Sequence, residues 1–280
     1  MHAKRSLPDP DKLSLFTAAT TLVIVLGRWS DFQGPTWTYA WGPHSWQVHL
    51  SPRSVLIVIL TALSLSGMDW LLRDHPLYEE QRNRVLWHAL LPTFALDALA
   101  TLIRTLPLGP AWIFVLLVGL VSVVALVVAE YIVLDPQDPR ALWATWALQA
   151  TGYGLFFLFA LGLYQSAWAP STVAVLLAMA AWFIGRRLWA LQAPQATLGP
   201  ESLALALLAV HWGWSLAFLC QAGLTPAAAG LLLLAGVYGW TQVVIARLQG
   251  LGVREALRMS LVPSFAFVLL ALMFWTEVPT

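Results

Sequence analysis

Three of the long apolar runs in this chain carry, near their middles, a side chain that is costly to bury in hydrocarbon: Asp97, Tyr153 and His211. Asp97 lies in residues 84–104, RVLWHALLPTFALDALATLIR, which also hold His88 and Pro92. A carboxyl at the centre of a bilayer span costs roughly 2.5–3.5 kcal/mol on insertion scales, so it calls for a partner or a purpose. Thr93, Asp97, Thr101 and Arg104 share one helical stripe at spacings of three or four. Arg104 is two turns beyond Asp97, about 10.5 Å along the axis. A water- or threonine-linked pair is therefore expected in place of a direct salt bridge. Asp97 reads in one of two ways: a neutral structural acid held by Thr, Tyr or His, or a group that handles protons or a solute.

At 1.5 Å per residue, Asp97 and Tyr153 lie roughly 18 Å from the inner ends of their spans and His211 roughly 16 Å. An acid, a phenol and an imidazole thus share one level, and an intramembrane enzyme would require them to face one another. His211 alone reads as a packing residue donating to a carbonyl, as a porphyrin or chlorin ligand, or as a proton carrier. Most of the sixteen tryptophans fall at span ends, whereas Trp182, Trp212, Trp214 and Trp240 lie within spans. In HWGWS (211–215) a glycine between two large residues lets another helix or a flat ligand approach. These tryptophans make either an aromatic core or a pocket for a lipid, quinone, carotenoid or pigment.

Several chemistries are excluded by residue type. The only lysines, Lys4 and Lys12, precede the first span, so no retinal Schiff base can form in the membrane. No histidine pair stands at metal-ligand spacing on one helix, and the single Cys220 offers neither disulfide nor cysteine metal site. Glu79 and Glu80 with Arg84 match the first motif of intramembrane CAAX-type proteases, but the histidine motifs that should follow are missing. A net charge of +1 without a basic face argues against nucleic acid. No motif names a reaction, a catalytic residue, a metal or a cofactor.

The elements that must position these residues are membrane spans. Of 280 residues, 59% are hydrophobic and 10% charged, against about a quarter charged in soluble domains. The expected architecture is an all-α transmembrane bundle of nine spans: 13–29, 52–73, 85–107, 110–134, 141–165, 170–191, 201–223, 226–247 and 260–276. Residues 13–29 read as a retained span, because no small-residue cleavage site follows. With the N-terminus in the cytoplasm, twelve Lys and Arg fall at the inner side and only Arg28, Arg53 and Arg104 at the outer. The expected location is the cell (inner) membrane, with the C-terminal EVPT outside. In the first outer loop, 30–51, TWTYAW and WQVHLS flank GPHS with alternating side-chain bulk, which predicts a short β-hairpin with Trp37, Trp41 and Trp46 on one face.

Pro52, Pro110, Pro170 and Pro226 recur at intervals of 58, 60 and 56 residues. This period predicts a single transmembrane domain over 1–280, made of one helix and four hairpins at 52–109, 110–169, 170–225 and 226–280. LPTFALDALA (91–100) also matches VPSFAFVLLA (262–271), with Val268 in the place of Asp97. R-x-L-W at Arg84–Trp87, Arg140–Trp143 and Arg186–Trp189 reads as a repeated interfacial anchor.

The segment SGMDWLLRDHP (66–76), followed by LWHALLP, resembles a family of polytopic bacterial inner-membrane proteins with no assigned function. The resemblance implies the same architecture and no activity. The sequence favours a non-enzymatic subunit of a membrane complex, or a binder of a hydrophobic ligand such as a lipid, quinone or pigment. Its partners would be the bilayer and other subunits or a hydrophobic small molecule. The alternatives are a small-solute or proton-coupled transporter working through Asp97, and an enzyme using Asp97, Tyr153 and His211.

Overall fold

The structure is a computed structural model that describes residues 7–30, 34–41, 44–166, 168–193 and 199–275. In chain order these form α1 (Pro10–Trp29), strands β1 (Thr36–Trp41) and β2 (His44–His49), α2 (Pro52–Leu72), the short α3 (Tyr78–Gln81), α4 (Val85–Thr105), α5 (Pro110–Ile132), α6 (Ala141–Tyr164), α7 (Pro170–Gln192), α8 (Gly199–Gln221), α9 (Pro226–Leu248) and α10 (Val253–Met273). Among the described residues nine helices, all but α3, are long and apolar enough to cross a membrane. The chain is a multi-pass, all-α membrane protein. Helices suit that setting because each satisfies its own backbone hydrogen bonds where no water can.

The expected spans agree with these helices to within a few residues, with one exception. The last helix begins at Val253, well before 260, after an extended Gly252. Hydropathy locates the apolar stretch, but the backbone coils from its cap onward, so Arg254 and Arg258 belong to the helix. Strands β1 and β2 pair antiparallel from Thr36–His49 to Trp41–His44, as the alternation predicts. The turn residues Gly42 and Pro43, the side chains of 39–49 and the terminal EVPT lie outside what the structure describes.

Helix starts follow from local chemistry. Ser51 and Thr225 accept hydrogen bonds from the amides of Ser54 and Ala228, each just ahead of a proline in the first turn. Helices α8 and α9 end on Gly223 and Gly250, at φ +106° and +70°, which only glycine adopts without strain. The amides of Leu224 and Leu251 then return to the carbonyls of Leu219 and Ala246, closing two Schellman caps.

The chain divides into two packing units, residues 1–144 and 145–280. In the first, α2 packs on α1 and α4, and α4 on α5. Bilayer lipid is as apolar as leucine, so these contacts depend on shape. Phe16 fills the space over Gly67 and Leu99 that over Gly119, where an added Cβ would come within 2.4 and 2.3 Å. Leu60, Met68, Leu96 and Ile103 are fully enclosed. In the second unit α7 pairs with α8 and α9 with α10, and α9 also touches α7 and α8. Its largest enclosed side chain is Trp189, whose indole N–H donates to the Thr241 carbonyl at 3.3 Å. The third R-x-L-W motif is thus no interfacial anchor at its tryptophan; the indole is part of the core because it finds an acceptor there.

Candidate functional site

Asp97 faces α2. Its Oδ2 accepts from the Thr61 hydroxyl at 3.5 Å, at the limit of a hydrogen bond. Its Oδ1 is enclosed and has no partner among the described residues. One turn away, the Thr93 and Ser64 hydroxyls meet at 2.9 Å, and Thr93 also lies 2.7 Å from the Ala89 carbonyl. The stripe on α4 is therefore met by hydroxyls of α2, a helix that the sequence reading did not bring to Asp97. The result is a carboxyl met by one threonine hydroxyl, with a threonine–serine pair one turn away, half-buried and incompletely bonded. Such a group can exchange a proton or receive a cationic or hydrogen-bonding guest.

Arg104 does not complete it. Its Nη1 donates to the Gly27 carbonyl at 2.6 Å, while Arg28 donates to the carbonyls of Ile103 and Leu106. The two arginines thus cap each other's helix ends, where carbonyls lack intrahelical donors and the dipole is negative.

Tyr153 belongs to the second unit and is buried among neutral partners. Its hydroxyl meets the Thr241 hydroxyl at 2.6 Å, and Gln242 donates to it at 3.4 Å. Since Thr241 gives its own proton to the Tyr238 carbonyl at 2.8 Å, Tyr153 must be the donor to Thr241. The phenol is committed on every side, and its ring lies 5.0 Å from that of Tyr238.

His211, also in the second unit, is exposed at the middle of α8. It shares that outward face with Ser215, Leu207, Trp214 and Phe218, the last two in edge contact at 5.6 Å. Among the described residues no hydrogen bond reaches its imidazole; Ser215 bonds only the His211 carbonyl. Thus Asp97 belongs to one unit and Tyr153 and His211 to the other, and within the second unit Tyr153 is enclosed while His211 faces out.

The four tryptophans divide likewise. Trp212 presses edge-on over Gly236 of α9, where a Cβ would come within 2.7 Å. Trp214 is exposed on the His211 face. Trp240 donates to the Glu201 carbonyl at 3.4 Å, and Trp182 carries the Arg186 guanidinium at 5.7 Å. Gly213 lies against Leu177 of α7, so the small residue in HWGWS admits a helix.

A profile described as "Protein of unknown function (DUF5656)" matches residues 36–276. The chain belongs to the DUF5656 family. This agrees with the resemblance to a family without assigned function. No curated protein and no solved structure matches. The family match spans Asp97, Arg104, Tyr153, His211 and the four tryptophans, but not Gly27 and Arg28.

Within the same stretch of DUF5656 lies a pair that sequence reasoning missed. His88 Nδ1 and Glu130 Oε2 are 2.9 Å apart, and both side chains are buried. The signal was available: Glu130 stands near the end of α5 and His88 near the start of α4, at matching depth in adjacent antiparallel helices. Nearby in the chain, His75 packs edge-on against Tyr131 at 4.7 Å, with its Nδ1 accepting from the Leu77 amide. Among the described residues no group of three or more His, Cys, Asp or Glu is placed to hold a metal.

Proposed function

We propose that this protein is a non-enzymatic subunit of a membrane complex, and that a partner helix covers the outward face of α8. The observation that carries this reading is the exposure of His211 at mid-span. Ionisable side chains within spans ordinarily face a bundle interior or a watered cavity, because hydrocarbon cannot solvate them. A polar group on the partner would meet the imidazole, and Ser215 would let the partner's backbone come close.

Placing a photo-crosslinking amino acid at 211 in cells of the native host provides the test. A single membrane polypeptide trapped at 211, and not at the likewise exposed Val121, is the expected result. Lipid adducts alone at both positions would sink the reading. A visible absorbance band in the purified protein, lost in His211→Ala, would replace the helix by a pigment.

A second reading rests on Asp97. The half-buried carboxyl with an unpartnered oxygen suits proton-coupled transport of a small solute. Proteoliposomes would show a pH-driven flux abolished by Asp97→Asn; equal flux in the variant would end that reading.

A further inference from the structure

Arg28 and Arg104 are the two cations at the ends of α1 and α4 from which the β-hairpin side of the first unit is built. Each guanidinium has five N–H donors, and the observed bonds to Ile103, Leu106 and Gly27 commit only part of them. Among the described residues no carboxylate bridges either one. Two helix C-termini supply about one negative charge in total, so among the described residues about one positive charge is left over. Both side chains are half-exposed, and the Arg28 guanidinium also lies 5.9 Å from the Trp112 ring. Around them Trp29, Leu102 and Leu108 are exposed and apolar.

This arrangement has the chemistry of a headgroup site. A planar guanidinium matches a phosphate in bidentate fashion, and two of them, each bonded to a carbonyl beside the other on the facing helix end, can share its oxygens. The exposed tryptophan and leucines offer surface to acyl chains immediately beside the charge, which a soluble anion would not use. We propose that Arg28 and Arg104 bind the phosphate of a phospholipid, with its acyl chains lying along the exposed apolar residues of α1 and α4.

Thermal unfolding of the detergent-purified chain, with and without added lipid, tests this directly. Dioleoylphosphatidylglycerol is expected to raise the midpoint by about 5–10 °C at about 100-fold over its dissociation constant. Diolein, which lacks the phosphate, and inorganic phosphate should each leave it unchanged. R28Q and R104Q should lose most of the shift, while R53Q, at the exposed start of α2, should keep it. Since both arginines cap helices, R28K and R104K are the second pair: they keep a charge and a donor for the carbonyls but lose the fork, and should lose part of the shift. An equal shift in all four variants overturns the proposal, as does one reproduced by diolein. A shift reproduced by inorganic phosphate assigns the site to a soluble anion and overturns the lipid.

Discussion

The first unit pairs charged side chains with one another, beside the neutral Thr93–Ser64 contact. Lys12 pairs with Asp74 at 2.8 Å, Arg73 with Asp69 at 2.5 Å and Arg140 with Asp138 at 2.8 Å, while the buried His88 meets Glu130 at 2.9 Å, an ion pair when the imidazole is protonated. In the second, the hydrogen bonds that join Tyr153, Thr241, Gln242, Trp189 and Ser264 to neighbouring helices are neutral. The turns differ in the same sense. Tyr78 donates to Asp69 at 2.6 Å across the α2–α4 connection, whereas Gly250 closes the α9–α10 connection with a backbone cap. A neutral hydrogen bond broken in a membrane loses about one bond. A buried ion pair broken on one side strands a charge. The first unit is therefore the half in which a change of protonation can have large consequences, and it is the half that holds Asp97.

The largest contrast is expected from the buried pair. His88→Leu or Glu130→Leu should each cost about 3–5 kcal/mol, and the double variant should recover most of that loss. Tyr153→Phe, removing one neutral bond of the second unit, should cost about 0.5–1.5 kcal/mol. Reversible unfolding in mixed micelles titrated with dodecyl sulfate reads both. Similar costs for His88→Leu and Tyr153→Phe would erase the distinction between the units.

The next largest effect comes from exchanging corresponding residues of α4 and α10. Both helices carry an internal proline, at 92 and 263, followed by a hydroxyl that reaches the preceding long helix: Thr93 to Ser64 of α2, and Ser264 to the Ala235 carbonyl of α9 at 3.0 Å. They part at Asp97 and Val268. Val268→Asp should lower stability by roughly 2.5–3.5 kcal/mol, since a carboxyl is added to a span without a partner. Asp97→Val should raise it by about 1–3 kcal/mol, because an enclosed oxygen without a partner is removed. A loss of stability in Asp97→Val would make the carboxyl structural glue and remove it from the functional candidates.

The contrast between the units was only partly legible in the sequence. Span positions were, because twenty or so apolar residues can do little else in a bilayer and the prolines mark the starts. The β-hairpin was, because strand alternation needs only local pattern. The depth of Asp97 was legible but its partner was not: Thr61 and Ser64 are ordinary residues in an apolar run until α2 is laid against α4. Arg104 misled through a one-helix argument; its acceptor lies on α1, 77 residues away. Trp189 shares its motif with two other tryptophans, and only the Thr241 carbonyl makes it core. Exposure of His211 is a property of the assembled helices, which no spacing within α8 could decide.

The smallest expected effect concerns the turn between α5 and α6. Asp138 accepts from the Arg140 guanidinium at 3.0 and 2.8 Å and from the Arg140 amide at 2.8 Å. The Arg140 guanidinium, and then its amide, hold the Asp138 carboxyl down at about 2, below its ordinary 3.8. A depressed carboxyl stabilises the fold above its unfolded value and stops doing so as pH falls through the folded one. The contribution of this turn should therefore be full above about pH 4 and gone near pH 2. The pair is partly exposed, so salt should screen it. In the second unit the α9–α10 turn, Gln249 to Gly252, has no group that titrates there. Amide exchange, corrected for intrinsic rates, should show protection around 138–141 falling with acid while that around 249–252 holds. Asp138→Asn cannot ionise and should show no such fall. A fall of equal size in Asp138→Asn would mean that acid acts elsewhere, and that this turn is no more ionic than its counterpart.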